Sequence, residues 1–100
     1  MGTLTIFLCG DVMTGRGVDQ VLPHPGDARL HEEYVKDARQ YVRLAEAASG
    51  PIPRRADFLD IWGDALEELA RISPEARVVN LETSITRSHD HRPGKGIHYR

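Results

Sequence analysis

The spacing of apolar and polar positions along this 100-residue chain predicts four elements in the order strand, helix, helix, strand. The first strand covers about residues 3–9, where the continuous apolar run IFLC suits a strand buried on both faces of a parallel sheet. The last strand begins at about Arg77 and follows the sequence ARVVNLETSI, which ends at residue 85. Side chains should alternate between the two faces of this strand.

The first helix is predicted over residues 28–48, with Asp27 as its N-cap and Gly50 as its C-cap. Glu32 and Lys36 stand four residues apart, which favours an ion pair on a solvated face worth about 0.3 kcal/mol. Residues at helical spacing form the predicted buried face: Tyr34, Ala38, Tyr41, Ala45 and Ala48.

The sequence DFLDIWGDALEELARI, residues 57–72, predicts a second helix that Asp57 caps and that Ser73 and Pro74 end. Its apolar stripe contains Phe58, Ile61, Trp62, Ala65, Leu66 and Leu69. Its acidic face contains Asp60, Asp64, Glu67 and Glu68, and solvation accounts for that face.

This element order indicates an α/β fold with a βαβ crossover and parallel strands. Two paired strands are too few for a complete α/β sheet. We therefore expect residues 1–100 to be the N-terminal part of one larger domain. The strand edges would then be covered by the remainder of that domain or by a partner chain.

Composition narrows the possible partners. The formal net charge is −2, which gives no overall reason to expect binding to nucleic acid or to a membrane surface. Cys9 is the single cysteine, and its place in the apolar run favours a buried structural thiol. The sequence has neither the features of a secretory signal nor a stretch long enough to span a bilayer, so we expect a cytoplasmic protein.

Polar residues at the ends of the two strands are candidates for a ligand-binding site. Asp11 follows the first apolar run, and Asn80 and Glu82 share one face of the last strand. If the strands pair in parallel, two carboxylates and an amide meet at one rim, where open α/β folds place their ligands. Such oxygen ligands suit a divalent cation. The alternatives are that Asp11 only caps a turn and that Glu82 is a surface residue paired with an arginine.

The glycine-rich turn and the polar tail offer candidate anion contacts. Gly10 and Gly15 have the spacing of a phosphate-binding loop, but the lysine and hydroxyl residue of that motif are missing. Arg16 could contact an anion through its planar guanidinium, although an exposed arginine in a turn is the commoner case. In the sequence PGKG, flanking glycines could place Lys95 against an anionic substrate. The pair His89 and His91 is a weak metal signal, and a solvated loop is the better explanation of it.

Three stretches, GDVMTGRGVD, DFLDIWGDALEEL and VVNLETSITRSHDHRPGKGIHYR, resemble the start of the CapA family of capsule and poly-γ-glutamate synthesis proteins. That family is similar to the calcineurin-like metallophosphoesterases, which implies a four-layer αββα sandwich of which this chain holds only an N-terminal βααβ part. The resemblance implies that Asp11 and Glu82 bind a divalent metal ion (Mn, Mg, Fe or Zn). Asn80 would add a ligand oxygen or orient a water, and Arg16 and Lys95 would hold an anionic small-molecule or polymer substrate. The remaining ligands would lie beyond residue 100.

One departure from the superfamily pattern leaves more than one function compatible with the sequence. The first superfamily motif is Asp-x-His, and this chain has Met13 where the histidine would stand. A thioether is a poor ligand for hard divalent metals. A metal-dependent phosphoesterase-type hydrolase or transferase is therefore weighed against two alternatives. One is a non-hydrolytic binding or assembly component of polymer synthesis, and the other is an inactive fragment.

Overall fold

A computed structural model describes residues 2–83 and 86–98 of the chain. Its elements are strand β1 (Ile6–Val12), helix α1 (Arg39–Ser49), helix α2 (Ala65–Ile72) and strand β2 (Ala76–Leu81), with short 3₁₀ turns at Val18–Val21 and Asp60–Trp62. β1 and β2 pair in parallel as a two-stranded sheet, so the predicted α/β class and the parallel crossover are confirmed. The predicted strand residues 84 and 85 lie outside the described residues.

β1 carries one extra residue relative to β2. Leu8 pairs with Val78 and Asp11 pairs with Asn80, so two residues of β1 face one residue of β2 between these pairs. This is a β-bulge, a feature that bends a strand and re-aims the side chains beyond it. The regular alternation of burial along β1 also breaks at Gly10 and Asp11.

The sheet faces are open to solvent, contrary to the predicted burial on both sides. Leu8 is 73% exposed and Val78 is 53% exposed, and every residue of β2 is exposed. The accessible surface of the described chain is 7734 Å². A compact protein of this mass would expose about 5,700 Å². The excess shows that the described elements do not cover the apolar strands.

The first helix begins eleven residues later than predicted. Asp27 accepts the backbone N–H of Arg29 at 2.9 Å, but no helix follows it. Asp37 makes the same bond to Arg39, the first residue of α1, and is the acidic residue that stands at the helix start. The end of the helix is as predicted, because Gly50 has φ 91° and its N–H bonds to the carbonyl of Glu46.

Residues 28–38 form an extended loop instead of helix. The N–H of Leu30 bonds to the carbonyl of Lys36 at 2.8 Å, and Ala38 bonds to Ala28 at 2.7 Å. Leu30 and Glu32 are both buried, two residues apart, which is the period of extended chain. The predicted solvated pair of Glu32 with Lys36 is therefore wrong, and Tyr34 of the predicted buried face is 62% exposed.

The second helix is shorter than predicted because Gly63 interrupts it. Gly63 has φ 51°, a left-handed conformation that separates the 3₁₀ turn Asp60–Trp62 from α2. Phe58 and Ile61 of the predicted stripe are exposed. Ser73 ends α2 in the left-handed conformation, as its position next to Pro74 predicted.

The buried apolar residues of the described chain, here called the apolar cluster, lie outside the two strands. α1 contacts the 3₁₀ turn Val18–Val21. The buried apolar residues of the cluster are Val21, Leu22, Leu30, Ala38, Val42 and Ala56. Among the described residues, no helix is long and apolar enough to cross a membrane.

Candidate functional site

The carboxyl ends of β1 and β2 bring Asp11 and Asn80 into direct contact. The two residues are register partners, and the Nδ2 of Asn80 donates a hydrogen bond to the Oδ1 of Asp11 at 2.7 Å. Because this bond uses the nitrogen of the amide, its oxygen is left as an acceptor or ligand. The proximity that the sequence predicted for these two side chains is therefore present.

The β-bulge is what places Asp11 beside Asn80. Leu8 faces Val78, so an unbroken register would put Gly10, and not Asp11, opposite Asn80. The extra residue shifts β1 by one position and turns the carboxylate to the amide's side of the sheet. No hydrophobicity pattern in the sequence reveals this shift.

Glu82 stands one step beyond β2 at the same rim. Its backbone N–H donates to the carbonyl of Val12 at 3.1 Å, so the chain remains beside β1 at this point. Glu82 is half-buried. Side-chain alternation places it on the face that carries Asn80, so both predicted acids belong to one end of the sheet.

The donors at this rim are of the kind that hard divalent cations select. Two carboxylates and an amide oxygen fit such an ion. The residues described by the structure nevertheless contain no group of three or more His, Cys, Asp or Glu side chains that could hold a metal ion.

Met13, at the position where the metallophosphoesterase resemblance would have histidine, lies in an apolar environment. It lines an apolar cavity of about 480 Å³ together with Val18, Tyr41 and Val42. Its thioether matches that apolar setting better than a metal site.

Arg16 lies within a partly buried cluster that we call the Arg16 junction, formed by Arg16, Glu32, Tyr41 and His98. The Arg16 guanidinium forms an ion pair with Glu32, whose side chain is fully buried, and donates to the hydroxyl of Tyr41 at 2.8 Å. It also donates to the backbone carbonyl of His98 at 3.1 Å. Glu32 in turn accepts the N–H of His98 at 3.1 Å. The junction thus ties the turn after β1 to the loop before α1 and to the tail.

The backbone of the turn is built for this arrangement. Arg16 has φ 65°, and Gly17 bonds to the carbonyl of Gly15 at 2.8 Å. A Cβ added to Gly17 would lie 3.0 Å from the Cβ of Tyr41. Gly17 therefore favours the close approach of the turn to α1, where a side chain would be crowded.

Hydrogen bonds and opposite charge together outweigh burial in setting the pKa values of Arg16 and Glu32. Burial alone would lower the pKa of Arg16, but the hydrogen bond and charge of Glu32, helped by Tyr41, raise it above its usual value. Burial alone would raise the pKa of Glu32, but the N–H of His98 and the Arg16 guanidinium hold it below its usual value. Both side chains are therefore charged at neutral pH.

Lys95, the other predicted anion contact, lies in the tail beside three histidines. It lines an open cavity of about 480 Å³ with His31, His91 and His98. The roles of Arg16 and Lys95 in substrate binding stay predictions.

Sequence reasoning missed the junction and His31. Glu32 looked like one more charge in a helical pattern, and its burial depends on a partner sixteen residues earlier in the chain. The available signal was the period of two in Leu30 and Glu32, which a helical interpretation overlooks.

Known proteins place the chain in context. Residues 5–100 match the family described as "Bacterial capsule synthesis protein PGA_cap". The chain is 47% identical over 97 residues to a "Probable polyglutamine synthesis accessory protein" of Mycobacterium tuberculosis strain CDC 1551. It has the same identity to the protein of that name in strain H37Rv.

The match covers 97% of this chain but 26% of each mycobacterial protein. The chain thus spans about a quarter of the length of these curated relatives. No solved structure matches the chain significantly.

Proposed function

The chain belongs to the PGA_cap family of bacterial capsule synthesis proteins, and from this premise we propose that its strand ends form part of a metal-dependent phosphoesterase-type site. The activity would serve capsule or poly-γ-glutamate synthesis as a hydrolase or transferase. The larger domain would have the calcineurin-like αββα architecture, with this chain as its N-terminal part. The remainder of that domain, or a partner chain, would complete the site.

The contact between Asp11 and Asn80 carries this proposal. An exposed carboxylate and an amide that share a hydrogen bond of 2.7 Å stand at the carboxyl edge of a parallel sheet. Ligand sites of open α/β sheets lie at this edge. The β-bulge before Asp11 supports the same assignment, because bulges are over-represented next to active sites.

Each residue at the rim has a proposed role. Asp11 and Glu82 hold the divalent ion, and Asn80 orients the Asp11 carboxylate through its Nδ2 while its oxygen faces the ion or a water. A metal ion at such a site polarises a phosphoester and activates a bound water. Arg16 and Lys95 are the proposed contacts for the anionic substrate.

Hydrolysis of a generic phosphodiester by the intact protein tests the proposal. We expect bis(p-nitrophenyl) phosphate to be cleaved in the presence of Mn²⁺, and Asp11→Asn to reduce kcat/KM by about a hundredfold or more, equivalent to about 3 kcal/mol. A chelator should abolish the activity of the wild-type protein.

Asp64→Asn is the matched control, since Asp64 is an exposed carboxylate beside α2. It should leave the rate unchanged. If Asp11→Asn cleaves the ester as fast as the wild-type protein, the assignment of Asp11 is wrong.

Met13 favours a second candidate, a non-hydrolytic binding or assembly component of polymer synthesis. The residue lines an apolar cavity and supplies no hard ligand. Metal analysis of the purified intact protein separates the candidates. A stoichiometric divalent ion supports the phosphoesterase site, whereas a protein that neither contains nor responds to such an ion supports the assembly role.

A further inference from the structure

The segment of the tail that carries Lys95 is closed into a loop by the side chain of His98. The ring Nε2 of His98 lies 2.9 Å from the backbone carbonyl oxygen of Arg92. Because a carbonyl oxygen only accepts hydrogen bonds, Nε2 carries the proton and donates it to this oxygen. The two partners stand six positions apart in the chain, and Lys95 lies midway between them.

A turn directly before Lys95 brings the two ends of the loop together. Residues 93–94 form this turn, and Gly94 has φ 81°. Proline followed by a residue with positive φ is the sequence that a type II turn favours, and Pro93 and Gly94 fit it. The turn and the bond from His98 to Arg92 together restrict the backbone on both sides of Lys95.

The ring of His98 is itself held in place by two other histidines. His91 meets it edge-on, with 5.3 Å between ring centroids and 79° between the ring planes. His31 lies at 6.0 Å and 70°. These contacts fix the plane of the ring and keep its Nε2 at the Arg92 carbonyl. The described residues contain no group of three or more side chains that could hold a metal ion, so the weak metal signal of His89 and His91 gains no support.

The backbone of His98 joins this loop to the Arg16 junction. Its N–H donates to the carboxylate of Glu32 at 3.1 Å, and its carbonyl accepts from the Arg16 guanidinium at 3.1 Å. Lys95 is exposed and forms no ion pair with a residue in the described ranges 2–83 and 86–98. The position of Lys95 therefore depends on the closed loop and on its anchor at His98.

We propose that His98 is a positioning residue for Lys95. By closing residues 92–98 through its Nε2, it sets where the Lys95 ammonium meets the anionic substrate, and it does not touch the substrate itself. A group that is already in place loses less conformational freedom when a ligand binds, so a closed loop favours tighter binding. This inference rests on the contact between Lys95 and the substrate that is part of the proposed function.

Steady-state cleavage of bis(p-nitrophenyl) phosphate by the intact protein with Mn²⁺ tests the role. His98→Met removes the donor and should raise KM about threefold or more, with kcat within about twofold of the wild-type value. His98→Gln should keep KM within about twofold of wild type, because its side-chain amide supplies an N–H as far along the side chain as Nε2. Rescue by glutamine would identify the hydrogen bond, and not the packing of the ring, as the cause. If His98→Gln raises KM as much as His98→Met, the proposal is overturned.

A double variant shows whether His98 acts through Lys95. Lys95→Met should raise KM about fivefold or more, because a charge-assisted contact is lost. Adding His98→Met to it should raise KM no further, since residues that act as a unit are not additive. Lys36→Met and His24→Met are the matched controls, because neither residue belongs to the loop, and both should have the wild-type KM. The proposal is overturned if the two KM effects multiply in the double variant, or if His98→Met alone leaves KM unchanged.

Backbone ¹⁵N relaxation of the intact protein tests the closed loop without any activity. The order parameter of the Lys95 amide should be about 0.85 in the wild-type protein and in His98→Gln, and below about 0.6 in His98→Met. The amide of Lys36 should be the same in all three. An equally ordered Lys95 amide in His98→Met overturns the proposal. If the wild-type protein does not cleave the ester, or if Lys95→Met leaves KM unchanged, the proposed function is contradicted, and relaxation still decides whether His98 closes the loop.

Discussion

The two-stranded sheet and the Arg16 junction differ in which side chains are exposed and which are buried. The sheet carries the exposed acids and amide of the candidate site, but its apolar side chains, such as Leu8 and Val78, face solvent. The junction carries no candidate catalytic acid, yet it buries a full ion pair and adjoins the apolar cluster. The described chain therefore separates the acids and amide at the strand ends from the buried ion pair that holds its segments together.

The two regions depend on different parts of the protein. The junction is formed by described residues alone, because Arg16 bonds to Glu32, to Tyr41 and to the backbone of His98. The sheet pairs its backbone groups but leaves its faces uncovered, and sheets gain most of their stability from covered faces. We expect mutations in the two regions to respond very differently.

Removing Glu32 should give the largest effect. Glu32→Ala removes the buried carboxylate that pairs with the Arg16 guanidinium, which should lower the free energy of unfolding by about 3–5 kcal/mol. Urea denaturation of the intact protein measures this. Glu33→Ala removes the neighbouring exposed carboxylate and should change the value by less than about 0.5 kcal/mol. Equal effects of the two variants would contradict a structural role for the junction.

The same Leu→Ala substitution in each region allows their contributions to stability to be compared directly. Leu30 is 6% exposed, so Leu30→Ala should destabilise the 100-residue chain by about 2–5 kcal/mol. Leu8 is 73% exposed, so Leu8→Ala should change its stability by less than about 0.5 kcal/mol. Urea denaturation of the two variants measures both changes.

The same leucine pair in the intact protein tests whether the sheet is covered there. If the remainder of the protein covers the sheet, Leu8→Ala should there cost about 2 kcal/mol or more. A cost below about 0.5 kcal/mol in both settings would contradict the expected cover.

Acid should weaken the junction, with a smaller effect on stability than either mutation series. The pKa of Glu32 is lower in the folded chain than in the unfolded chain, so the folded state is favoured above the unfolded value near 4.5. That contribution is lost as the pH falls below about 4.5 towards the folded pKa. Wild-type stability should therefore fall more between pH 5 and pH 3 than that of Glu32→Gln, as followed by thermal melts. A steeper fall in the variant would contradict this sign.

Much of the fold and of the site followed from local pattern. The apolar runs located both strands approximately, although β1 covers Ile6–Val12 and not the predicted residues 3–9. Gly50 and Ser73 marked the helix ends, and the strand order implied parallel pairing. Parallel pairing in turn placed Asp11 near Asn80. These features depend on residues close in sequence or on general rules of connection, so the sequence is sufficient for them.

Three features could not be predicted from the sequence, because they depend on distant residues or on local backbone detail. The extra residue in β1 decides that Asp11, and not Gly10, faces Asn80. The loop at residues 28–38 is extended because Glu32 finds a buried partner in Arg16. The left-handed φ of Gly63 divides the second helix.

The amino-acid order alone was enough to locate the strands, their common direction and the polar side chains at their carboxyl ends, since these follow from side-chain period and chain connection. Tertiary contacts were needed to show which charges are buried and which residues share the tail cavity. Burial of Glu32 is favourable only beside Arg16 and the N–H of His98, and that proximity arises when three segments far apart in the chain come together.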